Sequence, residues 1–287
     1  MNRTKIIFLI AAAAIAGILY FRVVQKKDYS GSIVDFDTAG TGYLAAKGEI
    51  AIILDDWGYN KTLLPEALSL NVPITFAILP DTPHAAEIAA AVHNAGHECI
   101  LHLPLEPHNS DTHPLEKNTI FTTTGHEEVI RIMKEYLTRL PQVKGINNHM
   151  GSKATEDAPL MRVILEQTKQ SGLYFLDSVT STNSVIAPIA ENLGVLFFKR
   201  DVFLDNESSK EHITAQMQKT KDIAVQEGRA IAVGHAKGLT LSTLSEIIPQ
   251  YRKEGFIFVY LSQLPAKKSA AGKPAAVRQP ENADENN

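Results

Sequence analysis

The sequence predicts an α/β fold in which a parallel sheet is wound with helices into a barrel; an open doubly wound sheet is the alternative. Three observations carry this expectation. Short runs that are apolar on both faces recur along the chain, the pattern of strands covered on either side. Segments with helical periodicity separate them, as βαβ crossovers require. The runs number seven or eight, enough to close a barrel.

In order, the strand candidates are IAIIL at 50–54, ITFAIL at 74–79, HECILHL at 97–103, GINNH at 145–149, LYFL at 173–176, VLFF at 195–198, RAIAVG at 229–234 and FIFVYL at 256–261. A helix carrying His84 and His93 follows the second strand. Thr124-x-x-Glu127 reads as a capping box, after which Ile130, Met133, Leu137 and Leu140 share one helical face. Asp157 is placed to cap a helix carrying Leu160, Ile164 and Leu165. Ser208-x-x-Glu211 opens another helix, and Leu241, Leu244, Ile248 and Tyr251 line one more.

These elements occupy residues 49–264 of a 287-residue chain, a length that suits one large domain. Residues 28–48, rich in Gly, Ser, Thr and Asp, read as a linker. Residues 265–287 combine Pro, Ala and charge without apolar periodicity and are expected to be disordered. Residues 1–27 carry Arg3 and Lys5 ahead of an uncharged apolar run from Ile6 to Phe21, which Val23 and Val24 extend if Arg22 snorkels. This is a signal peptide or, as the favoured reading, an uncleaved signal anchor over residues 6–24. Either implies export to the periplasm or cell envelope, and the anchor implies association with the inner membrane.

A chain that is 44% hydrophobic and 21% charged has the make-up of an ordinary soluble domain. A net charge of -4 and the lack of a Lys/Arg stripe argue against nucleic acid as a partner. The single cysteine, Cys99, excludes an intramolecular disulfide and a thiolate metal cluster, and reads as a small buried residue. No nucleophile elbow, P-loop or dinucleotide glycine pattern is present.

In either topology, ligands bind at the carboxyl ends of the strands. Of ten histidines, only His102, His149 and His235 end strands; Asp55, Asp56 and Asp177 do the same. Six titratable groups from five strands are therefore expected on one rim. Neighbouring strand residues point to opposite sides, so one carboxylate of the Asp55–Asp56 pair can bind a cation while the other stays free as a base or orients a ligand. A divalent ion would offset their repulsion; capping of the following turn is the competing reading. In HLPLEP (102–107), Pro104 argues against a helix, so His102 and Glu106 lie where a strand end turns into a loop. Asp56, His102 and Glu106 make a ligand set with a position left open for water, suited to Zn²⁺ first and to Mn²⁺ or Co²⁺ as well. His149 in NNHMGS fits a fourth ligand, a substrate contact or an orienting group. His235 leaves its strand through Gly234 and can protonate a leaving group near neutral pH. Asp177 in FLDS is placed to hold a histidine in one tautomer.

With these residues in view, the chain resembles the NodB-homology polysaccharide deacetylases, most closely their divergent bacterial branch, from about Ile50 to Leu264. ILDDWG resembles that family's first motif, AGHECILHLPLEP its GHE segment and paired-histidine motif, and IAVGH its last motif. DDWG, HLP-x-EP, NHMGS and GH recur together in the divergent branch. The resemblance implies a NodB-like, irregular parallel (β/α) barrel of about seven strands. It implies Asp55 as catalytic base, Asp56 and His102 as metal ligands, Glu106 in the place of the second metal histidine, and His235 as general acid. The chain departs from the family in that glutamate, in having no arginine near NNHMGS, and in offering Asp177 alone for the aspartate–tryptophan motif. The implied activity is metal-dependent hydrolysis of N-acetyl or related amide or ester groups on an envelope polysaccharide. The alternative is a non-catalytic envelope protein that binds a glycan or a partner through the same rim.

Overall fold

The computed structural model describes residues 46–265 apart from residue 113. The apolar leader, nearly all of the linker and the tail from residue 266 lie outside the described residues. Among the described residues there are nine strands: β1 Gly48–Trp57, β2 Thr75–Ile78, β3 Glu98–Leu105, β4 Gly145–Met150, β5 Tyr174–Asp177, β6 Phe197–Lys199, β7 Val202–Phe203, β8 Arg229–His235 and β9 Phe256–Phe258. The helices are α1 Leu64–Leu68, α2 Ala85–Asn94, α3 His126–Arg139, α4 Ala158–Gln170, α5 Ile186–Leu193, α6 Lys210–Glu227 and α7 Gly238–Lys253. No helix among the described residues is long and apolar enough to cross a membrane.

All strand pairings are parallel, in the order β6-β5-β4-β3-β2-β1-β8-β7. Strand β9 pairs with Gly48–Ile50 of β1, and β2 takes over from Ile53. The two outermost strands, β6 and β7, are separated in sequence by Arg200 and Asp201 alone. Two residues of chain cannot span more than about 11 Å between strand ends, so the sheet must curl until its ends meet. The fold is therefore an irregular (β/α) barrel and not an open doubly wound sheet. The described strands exceed the eight candidate runs by one, β7, which at two residues is too short to show a period.

The pleat divides the core. Ile50, Ile52 and Leu54 face the helical layer with Phe76, Leu101 and Ile146. Ala51, Ile53, Ala77, Ile100, Leu176, Phe198, Ile231 and Val233 fill the barrel interior, closed below by Leu261 and Leu264. At that lower end Glu98 is buried but satisfied: it accepts hydrogen bonds from Thr75 Oγ1, Tyr174 OH and the Ser262 amide. Gly145 lies so close to the Tyr174 ring that an added Cβ would stand 2.2 Å from it.

The helix starts follow local chemistry with two adjustments. Asp157 caps α4 by accepting the Leu160 amide at 2.8 Å, as expected. The capping box at Thr124 does not form. Helix α3 begins after Gly125, and the Thr124 hydroxyl instead accepts the Phe121 amide. Helix α6 is capped by Ser209, one residue past the expected serine, through the His212 amide.

Candidate active site

Strand alternation carries polar side chains into the mouth of the barrel. On β1 the inward series Ala51, Ile53 continues to Asp55; on β3 Ile100 continues to His102; on β8 Ile231, Val233 continues to His235. On β4 the same parity places Asn147 and His149 two and four positions past Gly145. On each of these strands, the residue above the last apolar or small layer is the one with chemistry.

Asp56 breaks the alternation. Its φ is +66°, and the β1–β2 register shifts between Leu54 and Trp57. Aspartate is among the few residues that enter the left-handed region without large cost. The kink turns Asp56 toward the same histidine that Asp55 faces: Asp56 Oδ1 lies 3.2 Å and Asp55 Oδ2 3.9 Å from His102 Nε2. The two carboxylates therefore share one site instead of facing opposite sides. Met150 (φ 51°), the last residue of β4, and Val179 (φ 55°), two residues past the end of neighbouring β5, lie in the same backbone region. For a β-branched residue this is a true outlier, of the kind that concentrates at functional sites.

One donor atom from each of Asp56, His102 and His149 lies within 4.8 Å of the others. His149 Nδ1 is 3.1 Å from Asp56 Oδ1 and 3.1 Å from His102 Nε2. Asn147 sets the protonation pattern. Its Nδ2 donates to Asp55 Oδ1 (3.0 Å) and Ser178 Oγ (3.2 Å), so its Oδ1 must accept, and the donor is His102 Nδ1–H at 2.8 Å. His102 thereby presents Nε2 to the cluster. Two imidazole nitrogens and a carboxylate oxygen form a donor set suited to a first-row divalent cation, and the residues fit such an ion. Burial would raise the Asp56 carboxyl, but the bonds from His102 and His149 hold it far below the usual range. Burial likewise opposes charge on His102, yet Asp55 and Asp56 lift it to about 9. Asp55 is almost fully buried, and that burial raises its carboxyl despite the opposing field of His102.

Across the mouth, His235 Nε2 lies 3.6 Å from Asp56 Oδ2. Its Nδ1–H donates to Asp205 Oδ1 at 2.8 Å, while Asp205 Oδ2 accepts the His235 amide and the Thr240 hydroxyl. Burial disfavours the imidazolium, but the hydrogen bond and charge of Asp205 outweigh it and raise the His235 value.

Asp55, Asp56, His102, His149 and His235 thus meet at one rim; Glu106 and Asp177 do not join them. Glu106 is corrected from a cation ligand to a loop anchor. Its Oε1 accepts Lys153 Nζ, its Oε2 accepts the Thr122 amide and hydroxyl, and its carbonyl accepts the Lys153 and Ala154 amides. His149 occupies the third position in the cluster. Asp177 touches no histidine. It accepts the Val179 amide and the Ser184 hydroxyl and shapes the turn that presents Ser178 to Asn147. Asn147 and Asp205, which sequence reading missed, do the orienting. A polar Asn147–Asn148 pair inside a strand was a usable signal; Asp205, past a two-residue strand, had none.

Residues 52–265 match the family described as divergent polysaccharide deacetylase. The chain belongs to that family. Two curated relatives of this family member are uncharacterized proteins: YibQ of Escherichia coli (strain K12), 38% identical over 201 residues and 70% of this chain, and a Haemophilus influenzae protein, 30% identical over 214 residues and 74% of this chain. The matched segment spans 62% of the E. coli relative's length and 76% of the other's. A crystal structure of an uncharacterized Agrobacterium tumefaciens protein superposes with a TM-score of 0.69 at 22% identity, covering 77% of this chain and 91% of that one, which shows a common fold.

Proposed function

We propose that this protein is a metal-dependent hydrolase that removes acetyl groups from N-acetyl sugars, or cleaves a related amide or ester, on a cell-envelope polysaccharide. The observation that carries the reading is the meeting of Asp56, His102 and His149 donor atoms beside a buried carboxylate, Asp55, and an aspartate-backed histidine, His235. A divalent ion held there, Zn²⁺ first and Mn²⁺ or Co²⁺ also suited, would activate water and polarise the acyl carbonyl. Asp55 receives the proton of the attacking water; its raised value, set by burial, suits a base. His235 gives its Nε2 proton to the departing amine, which leaves poorly unless protonated, and Asp205 keeps the opposite nitrogen occupied. The family description supplies the polysaccharide. The apolar segment 6–24, outside the described residues, supplies the reading of an exported, membrane-anchored protein.

The test is acetate release from envelope glycans by metal-stripped protein, with and without added Zn²⁺, Mn²⁺ or Co²⁺. Asp55→Asn should keep the ion and lose at least about a hundredfold in turnover, the lower range for a general base. Loss of ion and activity together would contradict the separation of roles. An ion-loaded protein that releases no acetate from any envelope glycan would favour a binding protein instead.

A further inference from the structure

His102 has Asn147 to fix its tautomer, and His235 has Asp205. The remaining histidine of the mouth, His149, faces the cluster with Nδ1, so a neutral ring that offers this nitrogen as a lone pair must carry its proton on Nε2. The carboxylate beside Nε2 is Glu116, whose Oε1 lies 3.9 Å away. Glu116 belongs to the long loop between β3 and α3. Its carbonyl is held by the Thr119 amide and hydroxyl, and its carboxylate accepts Tyr59 OH, 2.6 Å from both oxygens. Tyr59 lies three residues beyond Asp56 in the turn after β1. One tether thus runs from the strand that supplies Asp56, through Tyr59 and Glu116, to the outer nitrogen of His149.

We infer that Glu116 is the positioning residue of His149: it accepts the Nε2–H, keeps Nδ1 bare for a divalent cation, and is itself held by the Tyr59 hydroxyl. The inference rests on the metal reading above and adds the carboxylate that backs one ligand. A movement of roughly 1 Å brings 3.9 Å to hydrogen-bond distance, within reach of a glutamate held at its tip by a single side chain. Carboxylate–histidine pairs of this kind set ring orientation and ligand basicity, and their loss costs about 10- to 100-fold in metal affinity. Neither Tyr59 nor Glu116 is visible as a ligand or an acid–base group in the proposed reaction, so their effect should fall on the ion and not on proton transfer.

The experiment compares the unaltered chain with Glu116→Ala, Glu116→Gln and Tyr59→Phe. Zn²⁺ and Co²⁺ affinities are measured by chelator competition, folding by circular dichroism, and the His149 tautomer in Zn²⁺-loaded protein by ¹⁵N NMR. Glu116→Ala should bind the ion about 10- to 100-fold more weakly. Glu116→Gln should recover part of the loss, because its amide oxygen still accepts, and Tyr59→Phe should lose less than Glu116→Ala. The loaded unaltered protein should show His149 protonated at Nε2. A Glu116→Ala protein that binds as tightly as the unaltered one overturns the inference, as does a His149 protonated at Nδ1. If Glu116→Ala does not fold, Glu116→Met, which keeps the side-chain length but offers no good acceptor, takes its place, and unchanged affinity there overturns the inference equally. Should the unaltered chain take up no ion, the metal reading itself fails, and that outcome is distinct from an ion bound with equal strength by every variant.

Discussion

At Asn147 one amide joins the two halves of the site. Its nitrogen holds the Asp55 carboxylate and its oxygen holds the His102 proton, so base and cluster histidine are positioned by one side chain. Hydrogen-bond valence makes the arrangement one-way: an amide nitrogen cannot accept, hence the oxygen faces the ring. The same accounting separates His149 from Glu106. His149 Nδ1 meets Asp56 and His102 at 3.1 Å, whereas both Glu106 oxygens are occupied by Lys153 and Thr122. His149→Ala should therefore weaken Zn²⁺ binding by more than the roughly 10- to 100-fold that loss of a supporting group costs. Glu106→Gln should leave the affinity within a few-fold and lower unfolding free energy by about 1 kcal/mol, the scale of a net hydrogen bond. Calorimetric titration with Zn²⁺ and urea unfolding check both; the reverse pattern would return Glu106 to the ligand set.

At the scale of elements, the ends of strands are where the barrel departs from regularity. The bulge in β1 turns Asp56 onto the face of Asp55, and the short β7 delivers Asp205 beneath His235. That ion pair links the β7 end to the β8 end, and its pH signature follows from the two shifts. Asp205, opposed by burial but held by His235, has its value lowered from 3.8, so its contribution is present above that pH and is lost as pH falls through the lowered value. His235 has its value raised from 6.5, so its contribution is complete below 6.5 and is lost as pH rises through the raised value. The pair stabilises most between these two reference values. Asp205→Asn should cost about 1.5–3 kcal/mol in that window, the range for a hydrogen bond to a charged group, and progressively less on either side. Urea unfolding of both proteins from pH 3 to pH 9 measures the difference; a flat difference would mean that Asp205 acts through packing alone.

Across the described domain, apolar side chains fill the barrel below and polar side chains gather at its mouth. Leu261 and Leu264 pack under Ala51, Ile53 and Ile231, and the chain around them is tied in by the Ser262 amide on Glu98 and by Tyr260 OH on the Gly96 carbonyl. This closure leaves the mouth as the face where polar groups gather. Leu261 is fully buried, so Leu261→Ala should cost about 2–5 kcal/mol through lost transfer energy and an unfilled space. Trp57, the single tryptophan and itself buried, reports the unfolding by fluorescence. A cost below about 0.5 kcal/mol, the range of surface substitutions, would mean that the segment does not close the interior.

Sequence alone determined the alternation of strands and helices and the strand-end positions of Asp55, Asp56, His102, His149 and His235, because periodicity is local and the carboxyl ends of parallel strands lie on one side; the barrel was implied by the family resemblance, and the two-residue link between the outermost strands decided it against an open sheet. The sequence also established Asp157 as a cap, since a cap is satisfied within three residues. Only the tertiary structure decided which side chains meet. Whether Glu106 or His149 completes the cluster depends on the Lys153 and Thr122 partners that reach Glu106 from 47 and 16 residues away. Whether Asp55 and Asp56 face apart or together depends on a φ of +66° that no residue count reveals. The supports of each histidine, Asn147, Asp205 and Glu116, come from other strands or loops, and contacts across a barrel have no period along the chain.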